Sequence, residues 1–208
     1  MSVLGRLASS IGRKDEAPNV LLAKQVTEKS DKKAVHELVE NLSNSDGNIR
    51  SDCIKVLYEI GERSPGLIAD YSKEFIGLLA SKEGRLVWGA MTALDAIVLE
   101  RPQEVRRNLD AITLAAGGES VIARDHAVSI LIKLVSIEPS SDEAFKLLLI
   151  QLKESPVNQL PMYSEMSTGI ADKKRRLLLA KTLRTRVNSV DKESKKRRIE
   201  KAILKLEQ

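Results

Sequence analysis

The chain has 208 residues, 42% of them apolar and 30% charged, with a formal net charge of +5. That length suffices for one sizeable core or one continuous array of repeats. A single cysteine excludes a disulfide framework within one chain, and no run approaches the roughly 20 apolar residues of a membrane span.

The opening stretch from Met1 to Ala8 lacks the unbroken apolar run of a secretory signal, so a soluble, cytoplasmic protein is expected. Aromatic residues make up only 3% of the chain. The core must therefore come from Leu, Ile, Val and Ala, which suits close helix packing rather than a sheet.

Residues 1–18 hold a short amphipathic segment, with Leu4, Leu7 and Ile11 ahead of a charged break that ends at Pro18. So few apolar residues make a weak case for a membrane-surface helix. From Asn19 onward the pattern is helical. Val20, Leu21, Ala23 and Val26 open one helix, and Ser30 and Asp31 offer caps for a second, which carries Val35, Leu38, Val39 and Leu42. Residues 43–47, Ser-Asn-Ser-Asp-Gly, read as a loop.

An echo of 37 residues then begins. Pro65, Pro102 and Pro139 share that spacing, as do Cys53, Ala90 and Ala127, then Leu57, Leu94 and Leu131, then Ile60, Ile97 and Leu134. A repeat of this length is one supersecondary unit that must stack on its neighbours to bury its apolar face. Each copy reads as a helix, a proline turn and a second helix. The copies run over about 48–81, 85–118 and from 121 onward, the third with Ser140 and Glu143 as a capping box. Beyond Pro161 the pattern decays into helices near 160–171, 173–188 and 191–206, as expected of a terminal unit facing water on one side.

The segment Asp46-Gly-Asn-Ile49-Arg50-Ser-Asp-Cys53-Ile-Lys-Val56-Leu57 resembles the start of a HEAT repeat, in the armadillo-type class of helical repeats. Val121-Ile122-Ala-Arg124-Asp-His-Ala127 is a looser version, with Arg124 two periods after Arg50 and Val87 standing at the intervening place. The resemblance covers about residues 31–155. It implies an all-α, right-handed solenoid of about ten helices in antiparallel pairs. It also implies that a concave face of second helices meets a protein, a peptide or a nucleic acid. The expected organisation is an N-terminal segment over 1–18, repeats over 19–155, and a divergent basic repeat with a capping helix over 156–208.

Chemistry is sparse. There is no Gly-rich phosphate loop after a strand, no paired cysteine and no His-x-x-x-His, so no catalytic residue, cofactor or metal is expected. Cys53 reads as a small buried thiol, and His36 and His126 lie in different repeats. Helical-repeat DNA glycosylases of the alkyl-purine type use tryptophans and a carboxylate in a basic groove, but this chain has one tryptophan, Trp88. Trp88 reads either as a packing residue between repeats or as an aromatic anchor for a partner.

Charge is the sharper signal. Residues 172–208 contain 14 Lys or Arg against 5 Asp or Glu, while the first 171 residues contain 20 against 24. In the last helix Ile199, Ala202, Ile203 and Leu206 form an apolar stripe, and Arg197, Arg198, Lys201 and Lys205 point the other way. Two readings follow. The first is a non-catalytic scaffold that binds a protein or peptide through Asp70, Tyr71, Lys73, Glu74, Arg106, Arg107, Asn108 and Asp110, with Trp88 as anchor. The second is a nucleic-acid-binding module that uses Lys173, Lys174, Arg175 and Arg176 together with Arg197, Arg198, Lys201 and Lys205. The oligomeric state stays open.

Overall fold

A computed structural model describes residues 2–137 and 142–208, and among them there are α-helices and short 3-10 turns but no strand. The helices are α1 (Ala17–Glu28), α2 (Lys32–Glu40), α3 (Gly47–Arg63), α4 (Ser72–Leu78), α5 (Gly84–Ile97) and α6 (Pro102–Arg107). They continue with α7 (Leu109–Ala116), α8 (Val121–Ile137), α9 (Asp142–Glu154), α10 (Leu160–Ser167), α11 (Lys173–Val187) and α12 (Glu193–Glu207). Two compact units divide the chain within α8, Met1–His126 and Ala127–Gln208. Pro139 and the capping pair expected at Ser140 lie outside the described residues.

Aspartates start three of these helices. Asp31 accepts from the Ala34 amide at 3.0 Å, Asp46 from Asn48 at 2.8 Å and Asp172 from Arg175 at 2.7 Å. Each satisfies an amide that the helix leaves unpaired and stabilises by about 1 kcal/mol. Ser30, the other expected cap, instead adopts a left-handed φ of 47° and turns the chain out of α1.

The second helices differ from the expected continuous pieces. Pro102 opens α6 as anticipated, but Pro65 begins only a 3-10 turn over Pro65–Leu67, and α4 waits until Ser72. Gly66 directly after Pro65 accounts for this, since Pro-Gly favours a turn and glycine is a poor helix former. The next second helix breaks at Asn108, whose side-chain amide donates to the Glu104 carbonyl at 2.9 Å and competes with the backbone ladder. That break adds one helix to those expected, and twelve are present among the described residues.

In the first unit the leading helices stack, α1 on α3 and α3 on α5. Cys53 and Ala90 are fully buried there, with Leu57, Leu94, Ile60 and Ile97. Burial pushes the Cys53 thiol up to about 12, with Asp52 and Glu37 adding to the effect, so it stays protonated. Packing is tight at Gly89, where a Cβ would sit 2.7 Å from Cγ1 of the buried Ile54, and at Gly61, where one would sit 2.6 Å from Cδ1 of Ile68 and 3.1 Å from the Ala96 Cβ.

The two repeat arginines act on preceding carbonyls. Arg50 donates to the carbonyl of Ser45 at 3.1 Å and pairs with Glu83 at 2.8 Å, and Arg124 donates to the Ala116 carbonyl at 3.1 Å. Ala116 ends α7, so the Arg124 charge also meets the negative end of a helix. His126 bonds Asp95 at 2.8 Å, joining α8 to α5.

In the second unit α11 packs on α9 and α12, and α10 on α9 and α12. Ala127, Leu131 and Leu134 are fully buried, and the whole stripe of α12 (Ile199, Ala202, Ile203, Leu206) is buried as expected. Helix α10 stops at Ser167, short of the expected Ala171. Ser164 and Ser167 hydroxyls bond the carbonyls of Leu160 and Tyr163 at 2.6 and 2.8 Å, and Gly169 follows. Arg186 repeats the carbonyl role of Arg50, donating to Leu152 at 3.1 Å and Ser155 at 2.9 Å.

Packing at Gly89 predicts an opposition between two glycines. In Gly89→Ala the overpacking against Ile54, about 1–3 kcal/mol, should exceed the roughly 1 kcal/mol that alanine adds to helix propensity. Gly77 in α4 has nothing within 4 Å of its Cβ position, so Gly77→Ala should stabilise. Urea unfolding of both variants measures the two signs.

Candidate functional site

The face anticipated from the second helices lies in the first unit. Tyr71 ends the 3-10 turn Ala69–Tyr71, so its ring is set just ahead of α4. It is half-buried, and its hydroxyl lies 3.4 Å from His36 Nδ1 on α2. The two rings face each other with centroids 6.3 Å apart. Together with Glu74 they border a groove of about 360 Å³ whose other lining residues are Glu40, Ser43 and the apolar Val39, Leu42 and Leu78. His36 Nε2 lies 3.4 Å from Glu40. Partial burial pushes the Tyr71 phenol up, and Glu74, Asp70 and Glu40 add to that, so the groove is electronegative at the ring.

The remaining anticipated residues are placed as follows. Lys73 and Glu74 are exposed, and Asp70 is exposed and paired with Arg101. Arg107 and Asp110 are exposed, and Arg106 and Asn108 are half-buried. Asn108 has its amide engaged at the break between α6 and α7. The groove thus brings together Tyr71 and Glu74 from the anticipated set and adds His36 and Glu40. Those two sit at i and i+4 on the exposed side of α2, a signal present in the sequence but indistinguishable there from ordinary helix surface.

Trp88 lies elsewhere, on the leading-helix side. It is half-buried, with the Tyr58 ring of α3 at 5.7 Å and the Arg85 guanidinium 5.4 Å over its own ring. Around it runs an ion network. Lys55 bonds Glu59 at 2.8 Å and Glu16 at 3.0 Å, Arg63 pairs with Glu59 at 2.5 Å, and Arg85 with Glu16. Burial alone would lower the Lys55 pKa, but its bonds to Glu59, Tyr58 and Glu16 outweigh that and hold it above the ordinary lysine value. Burial would likewise raise Glu16 and Glu59, but bonds from Lys55 and the two arginines hold both below the usual carboxylate range. A polar pocket of about 430 Å³ opens beside Glu16, Asp52 and Arg85, and Trp88 is not among its lining residues.

The basic residues of the second unit divide by burial. Lys173 and Lys174 are exposed in the first turn of α11, whereas Arg175 is buried, pairs with Asp142 at 2.9 Å and lies 5.3 Å over the Phe145 ring. Arg175 therefore leaves the anticipated outer surface and acts as a packing residue; Arg176 is half-buried. On α12, Arg197 pairs with Glu193 at 3.3 Å, and Arg198 grips both oxygens of Glu165 at 2.7 and 2.6 Å. The Arg198 hydrogen bonds hold Glu165 below the ordinary carboxylate range. Lys201 and Lys205 are exposed and line a shallow pocket of about 320 Å³ with Glu165, Thr168 and Arg198.

Comparison with known proteins bears on the fold. No protein-family model and no curated protein matches the chain. Among solved structures it is similar to a designed armadillo repeat protein in complex with the peptide (KR)4, at 14% identity and a TM-score of 0.68, over 90% of this chain and 86% of that one. Two crystal structures of engineered proteins also match. One has a TM-score of 0.65 at 16% identity and covers 99% of both chains, and the other 0.60 at 17%, over 99% of this chain and 98% of that one. The chain thus has an all-helical repeat fold similar to that of these structures. Among the described residues, no helix is long and apolar enough to cross a membrane.

The network around Lys55 generates a pH prediction. Removing one partner of a fully buried ion pair costs roughly 3–5 kcal/mol, and here Glu16 is partly exposed while Arg63 and Arg85 remain. Lys55→Met should therefore cost about 2 kcal/mol at neutral pH, somewhat less than that range. Because the folded pKa values of Glu16 and Glu59 are depressed, their contribution is present above the ordinary carboxylate value of 4.5 and is lost as pH falls through the lower folded values. The stability gap between wild type and Lys55→Met should narrow in that acid range, as followed by denaturant unfolding across pH.

Proposed function

We propose that the chain is a non-catalytic interaction scaffold that binds a protein or peptide segment along the second-helix face of its first unit. The observation that carries this reading is the groove between α2 and α4. It has an apolar floor of Val39, Leu42 and Leu78, an aromatic wall in Tyr71 and two carboxylates, Glu40 and Glu74. Apolar floor and aromatic wall provide burial, and carboxylates near an aromatic face suit a Lys or Arg side chain. The complex of a designed armadillo repeat protein with the peptide (KR)4 supports peptide binding by this type of fold and makes a basic peptide the first probe. Asp70, Lys73, Arg106, Arg107 and Asp110 are the exposed or half-exposed residues proposed to flank the segment, with Asn108 holding the break between α6 and α7. Trp88 would be a separate anchor on the opposite helices. A cytoplasmic setting goes with this reading, since the one cysteine is free and buried.

A second reading keeps one specific support. Lys173 and Lys174 stand exposed at the positive end of the α11 dipole, where a cation costs roughly 0.3–1 kcal/mol. A bound polyanion would offset that cost, so a nucleic-acid contact through Lys173, Lys174, Lys201 and Lys205 is the alternative function. Arg175 and Arg198 contribute less to it, because Asp142 and Glu165 already engage them.

Fluorescence anisotropy of labelled (Lys-Arg)4 peptide and of labelled duplex DNA against the full chain separates the two. The scaffold reading expects peptide binding that weakens about tenfold or more in a Tyr71→Ala, Glu74→Lys variant, while Lys173→Glu, Lys174→Glu leaves it unchanged. Peptide binding that ignores the Tyr71 and Glu74 changes overturns this site. DNA binding with a steep salt dependence, lost in the lysine variant, makes the alternative the function.

A further inference from the structure

Residues 2–9 are held on the first unit in a way unlike the helices that follow. They form a single 3-10 turn, Leu4–Arg6, and rest on α1, α2 and α3 with Val3, Leu7 and Ala8 buried. Three of their backbone amides are read by side chains, one from each of those helices. The Val3 amide donates to Glu37 Oε2 at 2.9 Å, Ala8 to Asn19 Oδ1 at 2.9 Å, and Ser9 to Asp52 Oδ2 at 2.8 Å. Asn19 in turn donates to Asp52 Oδ1 at 2.7 Å, which fixes both acceptors. Neither Asn19 nor Asp52 caps a helix, and both are buried. The main polar role shown for this pair is to receive the main chain of the segment.

Two consequences follow. Without residues 2–9, Asp52 would exchange the Ser9 amide and Asn19 Oδ1 the Ala8 amide for water, while the Asn19–Asp52 bond keeps both acceptors in place for an occupant. The occupant is also separable. Residues 10–15 are exposed, with Gly12 at a φ of 71°, and the chain is next fastened at Glu16 by Lys55 and Arg85. Within the segment and its tether, turn bonds close locally: Leu7 to Leu4 at 3.1 Å, Ile11 to Leu7 at 3.2 Å and Arg13 to Ala8 at 2.8 Å. The segment thus resembles a compact peptide ligand joined to its receptor by a short exposed tether.

We propose that the α1–α2–α3 surface is a peptide-binding groove whose resident ligand is the chain's own residues 2–9, and that it accepts the same segment supplied in trans. Its ligand class is a short turn-forming peptide with aliphatic side chains at the places of Val3 and Leu7, a small residue at Ala8, and free amides at 3, 8 and 9. This groove is distinct from the one lined by Tyr71 and stands or falls independently of it.

The test uses full-length protein and a labelled synthetic peptide with the sequence of residues 2–14. Leu7→Asp in the protein expels the resident segment and leaves the groove intact. That variant is expected to bind the peptide saturably, and the wild type at least about tenfold more weakly, because the tethered segment competes at high effective concentration. Adding Asn19→Ala to the variant should weaken binding about tenfold, and a peptide carrying the same Leu-to-Asp change should not bind. A folded Leu7→Asp protein that ignores the peptide, or binding indifferent to that change in the peptide, overturns the proposal. Hydrogen exchange on the wild type serves where the variant fails to fold. The amides of Val3, Ala8 and Ser9 should exchange at least about tenfold faster than buried amides of α1 and α3, through a separate opening. Exchange of all of them at one common rate overturns it.

Discussion

Where α3 meets α5, the Ile54 side chain lies against the bare α-carbon of Gly89, and nothing larger than a hydrogen fits between them. That contact, together with Gly61 against Ala96, lets α3 and α5 approach closely, and the small residues Cys53 and Ala90 are fully buried on the same two helices. A 37-residue unit has one apolar face and no partner of its own, so its stability depends on how closely the next unit approaches. Along α3 and α5 the aromatic pair is Tyr58 and Trp88, whose rings lie 5.7 Å apart, while the fully buried rings Phe75 and Tyr163 come from α4 and α10. Charged groups gather beside Tyr58 and Trp88, with Lys55, Glu59, Glu16 and Arg85 closing over the seam.

The first helices also carry an apolar and polar surface that the repeat ladder itself does not cover. In the first unit the covering comes from residues 2–9, which bury Val3, Leu7 and Ala8 and satisfy Asn19 and Asp52. In the second unit α12 covers α10 and α11 as a regular helix, apolar inside and charged outside. The physical difference matters. A helix satisfies its own backbone and covers a surface with side chains alone, whereas residues 2–9 depend on the groove for three of their amides. That dependence makes the N-terminal covering a ligand as well as a lid.

Much of the fold was legible because it rests on period. Leu57, Leu94, Leu131, Ile60, Ile97 and Leu134 were read as one ladder, and all are fully buried. The cap at Asp31 was legible for a similar reason, since a short acceptor before an apolar run suits that use, whereas Asp46 was read only as part of a loop and caps α3. The break at Asn108 and the 3-10 turn at Pro65 were not, because each depends on one local competition between side chain, turn and helix. Burial of charge was least legible. Arg175 and Lys174 are neighbours of the same sign, yet one stacks on Phe145 and pairs with Asp142 while the other faces water. The partners that decide this lie about thirty residues away in sequence.

The same limit explains why the candidate site was only half visible. Tyr71 and Glu74 were selected because they avoid the apolar positions of their own helix, a criterion that also admits residues facing nothing in particular. What turns two of them into a groove is α2, which brings His36 and Glu40 to the other side. Exposure is a property of one helix, but concavity needs two. A basic run offers no such enclosure, and its apparent strength in the sequence falls once each cation is matched to its neighbours. Arg175, Arg197 and Arg198 are paired within the second unit, while Lys173, Lys174, Lys201 and Lys205 remain exposed. In the groove Glu40 and Glu74 stand beside an apolar floor, so charge and burial can act on one ligand, whereas the open lysines offer charge alone, screened by solvent. On that ground the smaller, less conspicuous cluster carries the functional reading.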